Sequence, residues 1–169
     1  MARKEVDATL VLLGNIATDD PEGQTVFESL SRCAEERIRV LSVQDSALVN
    51  ALQRRAAVVL QKSIREGFVL TVAEAMWKGA AVIGGNVGGI RHQIEDRVNG
   101  FLVNDVVGVA QRIVQLVQDP ALRSRLGAAK ETVHRRFLMS RLMEEALDLY
   151  ASFEPSFRLR SAPLPTQDA

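Results

Sequence analysis

The stretch richest in chemistry runs from Gln61 to Gly89, QKSIREGFVLTVAEAMWKGAAVIGGNVGG. It sets Glu66 in a glycine-containing loop and Glu74, with seven residues between them, on a helix that the pattern opens near Thr71. A carboxylate accepts hydrogen bonds from paired hydroxyls, so Glu66 can hold vicinal sugar hydroxyls and Glu74, one turn into the helix, ribose hydroxyls. Between them, the first turn of the helix exposes N–H groups without intrahelical partners and a partial positive charge of about half a unit. An anion placed there is favoured by roughly 0.3–2 kcal/mol. Gly67 lets the backbone approach a ligand closely. A diphosphate suits this geometry without a metal ion.

The same residues admit plainer roles. Thr71-x-x-Glu74 has the spacing of a capping box, in which each side chain bonds the other residue's amide. The two roles are compatible, because one carboxylate has several acceptor sites. Glu66 alone would be a solvated loop acid, and Gly67 a turn residue. Asp19-Asp20, followed by Pro21-Glu22-Gly23, reads as a turn rather than a metal-binding pair. His92 and His134 read as surface or packing residues, His92 being the better site candidate because it follows Gly88-Gly89. Cys33 falls on an apolar helix face and is expected in the core. Gly84-Gly85-x-x-Gly88-Gly89 is not the GxGxxG fingerprint and follows a late strand, which disfavours a dinucleotide oxidoreductase. Arg54-Arg55 and His134-Arg135-Arg136 read as solvated helix faces.

The elements that must position these residues alternate along the chain. Apolar runs predict strands at Thr9–Leu13, Ile38–Leu41, Ala57–Leu60, Ala81–Ile83 and Phe101–Val103. Helical patterns lie between and after them. They run over Thr25–Glu36, from an Asp45 or Ser46 cap to Arg55, and over Thr71–Lys78, stopped by Gly79. Further helices open at Asp105, at Asp119-Pro120 with an apolar face of Leu122, Leu126, Ala129 and Val133, and at a Ser140 cap. Short apolar strands separated by helices imply parallel β-α-β units covered on both faces. The expected fold class is α/β, a Rossmann-like doubly wound parallel sheet, with ligands beyond the carboxyl ends of its strands.

The 169 residues, 47% hydrophobic and 25% charged, suit one globular domain, expected over 1–153. The remainder, 154–169, carries Pro155, Pro163 and Pro165 and is expected to be a mobile tail. Lys+Arg and Asp+Glu are 21 each, which excludes a nucleic-acid or anionic-membrane binder held by bulk charge. No apolar run is long enough to span a bilayer and no signal-peptide core follows Met1. The single cysteine fits a reducing compartment, so a cytoplasmic location is expected. Two histidines and one cysteine cannot complete a four-ligand His/Cys zinc site.

The segments Ser63-Ile64-Arg65-Glu66-Gly67-Phe68-x-Leu70-Thr71-x-x-Glu74-Ala75-Met76, Gly79-x-x-Val82-Ile83, Val87-Gly88-Gly89-Ile90 and Asn99–Val103 form a specific set. From about Ala8 to Tyr150, the chain resembles the C-terminal, donor-binding domain of the retaining glycosyltransferases of family four, which have the two-domain GT-B architecture. Ile64-Arg65, Trp77-Lys78 and the Asp19–Gly23 turn are most similar to the nucleotide-sugar-dependent trehalose synthases, with trehalose phosphorylases close by.

The resemblance implies transfer of glucose from a nucleoside-diphosphate glucose to a sugar acceptor, with retained anomeric configuration and no metal or other cofactor. Glu66 and Glu74 would be the acidic residues of the active site, Glu66 on the hydroxyls of the transferred sugar and Glu74 on the ribose. Gly67 and the backbone amides of Phe68, Val69 and Leu70 would meet the sugar and diphosphate, with Thr71 near the phosphates. The leaving diphosphate would deprotonate the acceptor, so no dedicated base is expected. The helix terminus would stabilise the leaving group's charge. The acceptor would bind through an N-terminal domain outside this chain.

The resemblance also implies an absent element. The family's first strand, followed by an Arg and a Lys that grip the diphosphate, would precede Ala2. In the doubly wound order 3-2-1-4-5-6 that strand is central, with Thr9–Leu13 and Ala57–Leu60 as its neighbours. Its absence would expose two strand edges or force them together. A fragment inactive alone, a donated strand, a rearranged sheet or a homo-oligomer through those edges is therefore expected. The alternative is a truncated or degenerate domain kept for interaction or assembly. Three positions depart from the family pattern: Val69 and Arg97 stand where glycines are usual, and Ala81 where a proline is. A left-handed backbone at Val69 would be strained, and its side chain would crowd the donor.

Overall fold

The structure, a computed structural model, describes residues 6–14, 21–42, 44–63 and 67–153. Among these residues, five strands alternate with helices up to β5 and four helices follow: β1 (Leu10–Gly14), α1 (Pro21–Arg32), β2 (Ile38–Ser42), α2 (Ser46–Arg55), β3 (Val58–Gln61), α3 (Leu70–Trp77) and β4 (Ala81–Gly85), then α4 (Ile90–Gln93), β5 (Phe101–Val103), α5 (Val106–Gln118), α6 (Pro120–Gly127), α7 (Lys130–Arg136) and α8 (Met139–Phe153). Every strand ladder is parallel. The expected tail, 154–169, lies outside the described residues.

The period of two along the strands divides the core into two layers. Ala81 and Ile83 of β4 join Phe101 and Val103 of β5 beneath Leu116 of α5 and Leu126 of α6. Val82 faces the other way, into Val72, Ala75 and Met76 of α3, Ile90 of α4 and Val133 of α7. Successive side chains on a strand point to opposite faces, so a continuously apolar strand such as β4 is covered on both. Met76, Leu116 and Leu126 are fully buried, each worth about 1.5–3 kcal/mol relative to exposure.

The sheet is divided. Among the described residues, β1 pairs with β2 alone, and β3, β4 and β5 form a separate sheet in that order. β1 and β3 therefore each keep one unpaired edge, the pair of edges expected if a central strand is absent. Packing follows the same division. Among the described residues, every buried apolar side chain lies at Val69 or beyond. Leu10, Val11 and Leu13 of β1 are 40%, 37% and 36% exposed, although strands of a complete parallel sheet are covered on both faces. Between β1, β2 and α1 is a depression of about 270 Å³ lined by Leu12, Leu13, Val26, Phe27, Leu30 and Leu41, among others.

Local chemistry sets the helix ends. Asp45 accepts from the amides of Ala47 and Leu48 at 2.8 and 3.1 Å. Asp105 accepts from Gly108 at 2.7 Å, and Asp119 from Leu122 at 2.8 Å. Each such cap is worth about 1 kcal/mol. Gly79, with φ of 82°, ends α3.

Four local expectations are corrected. Pro21 to Gly23 form the first turn of α1 rather than a loop, because a proline there lacks only an N–H that has no helical partner. α1 stops at Arg32, and Cys33 is exposed, its thiol donating to the Ser29 carbonyl at 3.5 Å. The helix opened by Asp119 breaks at Ala128-Ala129 into α6 and α7, yet its apolar face still buries Leu126, Ala129 and Val133. α8 begins at Met139, which places Ser140 inside the helix instead of at its cap. Among the described residues no helix is long and apolar enough to cross a membrane.

Candidate functional site

The site lies where the chain leaves the carboxyl end of β3 and enters α3. Glu66, with Ile64 and Arg65, lies outside the described residues. The structure describes the loop again from Gly67. Gly67 and Phe68 are exposed, and Leu70 at the first position of α3 is 66% exposed. Val69 between them is 6% exposed and turns its side chain into the core with Val72 and Met76. Its φ of −97° is ordinary extended backbone. The replacement of glycine at this position is therefore unstrained, and its side chain packs into the core.

Val69 is held from behind. Gln93 of α4 is fully buried, and the orientation of its amide that satisfies both groups accepts from the Val69 N–H at 3.0 Å and donates to the Val69 carbonyl at 3.1 Å. The Val69 N–H is thus engaged within the protein. Among the described residues the N–H groups of Phe68, Leu70 and Thr71 have no hydrogen-bond partner. Leu70 and Thr71 are the unpaired donors of the helix start and carry its positive end, and Phe68 lies just before the cap residue Val69.

Two glycines hold this loop in different ways. A Cβ on Gly89 would collide with the Gly67 carbonyl, so Gly89 must lack a side chain for the loop to pack against the start of α4. A Cβ on Gly67 would meet nothing within 4 Å. The Phe68 ring packs edge-on against Phe137, with centroids 5.6 Å apart, and fastens the loop to the end of α7.

The capping box expected at Thr71 and Glu74 does not form. Thr71 is the second residue of α3, and the cap position, Val69, has no side-chain hydrogen bond to offer. Glu74 is captured by more distant partners. Its Oε2 accepts from Gln53 Nε2 of α2 at 3.2 Å and lies 3.7 Å from Lys78 Nζ. Lys78 Nζ also donates to Gln53 Oε1. The Glu74 side chain is 47% exposed and that of Lys78 only 12%. Oε1 of Glu74 has no partner among the described residues.

The structure thus places Gly67, Phe68, Val69, Leu70 and Thr71 in the segment that follows β3 and opens α3, and Glu74 one turn further along that helix. It leaves His134 on the outside of α7, while exposed His92 on α4 is joined to α7 through its carbonyl, which accepts from Arg136 at 3.2 Å. Gln53, Lys78 and Gln93 escaped sequence reasoning. Only Lys78 carried a local signal, four residues after Glu74 on the same helix. Gln53 and Gln93 reach their partners across the fold.

Parallel strands with helices on both faces, and a helix start at the carboxyl end of β3, define a Rossmann-like domain of the GT-B type. The chain belongs to the family described as glycosyl transferases group 1, whose family model matches residues 1–133. It is 44% identical over 149 residues to the trehalose synthase of Pyrococcus horikoshii, covering 85% of this chain and 36% of that one. It is 41% identical over 153 residues to the trehalose synthase of Thermococcus litoralis, covering 87% and 37%. The chain therefore spans a little over a third of the length of these relatives. Among solved structures, the sucrose-phosphate synthase of Thermosynechococcus elongatus superimposes with a TM-score of 0.77 at 24% identity, over 90% of this chain and 40% of that one.

Proposed function

We propose that this chain is the donor-binding half of a retaining glycosyltransferase that moves glucose from a nucleoside-diphosphate glucose to a sugar acceptor, as in trehalose synthesis. The acceptor binds to a domain outside this chain, and the chain alone does not turn over. The observation that carries this function is the open start of α3. Among the described residues the amides of Phe68, Leu70 and Thr71 have no partner, Gly67 next to them is exposed, and Glu74 follows one turn along α3 with its carboxylate bonded to Gln53. The amides receive the diphosphate and stabilise the charge that develops on it as the glycosidic bond breaks. Glu66 holds hydroxyls of the glucose, and Glu74 those of the ribose. The likeness to trehalose synthases supports the choice of sugar.

The test is calorimetry with UDP-, GDP- and ADP-glucose and the matching diphosphates. Saturable binding of one nucleotide sugar, tighter than its free diphosphate, is expected. Glu66→Ala removes the difference between the two ligands. Gly67→Ala has room in the fold, so thermal stability is retained while affinity falls by about tenfold or more if a ligand approaches this backbone. No saturable binding by the wild type, or equal affinity in Gly67→Ala, rejects the assignment. Free nucleotide bound with no preference for the sugar indicates a nucleotide-binding domain of another kind.

One observation favours a second function. The unpaired edges of β1 and β3 suit an assembly module that accepts a strand from a partner or a second copy. A well-ordered oligomer in light scattering, together with no nucleotide-sugar binding, selects it.

A further inference from the structure

We infer that Gln53 and Lys78 are positioning residues that hold Glu74 ready for the ribose diol of the donor; the inference rests on the donor-binding function proposed above. Both act on one oxygen. Gln53 Nε2 donates to Glu74 Oε2 at 3.2 Å, and Lys78 Nζ stands 3.7 Å from that atom. The two partners are also bonded to each other, Lys78 Nζ to Gln53 Oε1, which closes a ring of three side chains. Gln53 is 8% exposed and the Lys78 side chain 12%, so the back of the ring is enclosed while Glu74 is half exposed at the front. Oε1 is left without a partner among the described residues.

An unfixed glutamate on a helix has rotamer freedom that a ligand must freeze on binding. With Oε2 already held from α2 and from the next turn of α3, that loss precedes the ligand, and the side chain is preorganised. Lys78 adds a charge that keeps the carboxylate in place without competing for Oε1. Gln53 can do both jobs at once because its amide donates to the carboxylate and accepts from the ammonium. An apolar side chain of similar size at either position would fill the space but would release the carboxylate.

The alternative is that the ring merely fastens α2 to α3. The two roles separate in one measurement, calorimetric affinity of the full chain for a ribonucleoside diphosphate (UDP, GDP or ADP, whichever binds) and for its 2′,3′-dideoxy counterpart. The wild type prefers the ribonucleotide by about tenfold or more, as hydrogen bonds to a charged group would give. In Gln53→Leu and Lys78→Met that preference shrinks severalfold, while affinity for the dideoxy ligand is unchanged. Lys78→Arg restores it in part. Lys78→Met keeps the test valid if the more enclosed Gln53→Leu does not fold. Folded variants that keep the full preference, or that lose both ligands equally, overturn the inference and leave donor binding standing. A wild type that binds a nucleotide sugar but shows no diol preference overturns it too. A wild type that binds no diphosphate overturns both.

Discussion

Arg97 is the only non-glycine residue with positive φ among those described, at 65°. The turn around it is fixed by its surroundings. The Arg97 N–H donates to Gly100 at 2.7 Å, the Leu102 N–H to Asp96 Oδ1 at 2.9 Å, and Arg125 Nη1 to the Arg97 carbonyl at 3.1 Å. None of these bonds uses the Arg97 side chain. A left-handed backbone costs an L-residue about 1–2 kcal/mol. Glycine removes that strain but returns about 0.5–1 kcal/mol as extra freedom of the unfolded chain. The side chain's own contribution is an ion pair with Asp96 at 3.4 Å, with Arg97 70% exposed, which falls at the low end of the roughly 0–1 kcal/mol for surface pairs. The difference spans about 0–1.5 kcal/mol, with a middle value of about 0.5–1 kcal/mol by which Arg97→Gly should stabilise the protein. For a chain of this size that raises the thermal midpoint by about 1–4 °C. Arg97→Ala, which keeps the Cβ and loses the guanidinium, should bring no gain. Calorimetric or circular-dichroism melting of the three proteins, backed by urea denaturation, decides. A glycine variant no more stable than the alanine variant would refute the assignment of strain to this turn.

Three further outcomes are expected. Gly89→Ala forces a Cβ against the Gly67 carbonyl, and a clash with backbone cannot be relieved by a rotamer change, so a loss of about 1–3 kcal/mol is expected in melting experiments. An unchanged midpoint would mean that the Gly67 loop is not packed there. Gln93→Leu leaves the Val69 N–H without its partner in a buried setting, while the Val69 carbonyl still accepts from the Val72 N–H at 3.2 Å, so a loss of about 1–3 kcal/mol is expected; a neutral effect in urea denaturation would contradict the paired amide. Leu10 N–H donates toward β2, to the Arg37 carbonyl, so strand alternation turns the amides of Val11 and Leu13 toward the unpaired edge. They should exchange with deuterium far faster than Val82 and Ile83 of β4, and comparable protection in dilute solution would show that the edge is covered.

What was legible in the sequence is what short-range physics decides. β4 and β5 are apolar runs bounded by turn residues, and the structure buries β4 on both faces and β5 on one, with Leu102 partly buried on the other. Asp45, Asp105 and Asp119 cap the helices their positions announce. The failures occur where a distant partner competes with a local one. Thr71 and Glu74 have capping-box spacing, but α3 starts one residue earlier and Glu74 finds Gln53, far away in the chain. Cys33 would be interior if α1 ran on to Glu36 under a complete sheet. The helix stops first, and its outer face is left uncovered, with Val26 57% exposed. Val69 departs from the family pattern at a position whose backbone angle and side-chain direction are invisible in one sequence. A buried amide from α4 supplies the reason for both.

The distribution of buried side chains connects the fold to the site. The site residues from Gly67 to Glu74 belong to the half whose core is complete, where α3, α4 and α7 share one apolar layer over β3 and β4. That half can hold the start of α3 in place without help from β1 or β2. Gln53 is the exception, since α2 follows β2 and lies between the two sheets in chain order. Its hydrogen bond to Glu74 is therefore also a structural link from the well-packed half toward the sparsely packed one. An element seated between β1 and β3 would extend both ladders in the same parallel sense. It would pair with the outward amides of Val11 and Leu13 and run beside β3, the strand that leads into α3. Completing the sheet would thus add backbone next to the strand that positions the start of α3, and in open α/β sheets ligands sit beyond the carboxyl ends of the strands.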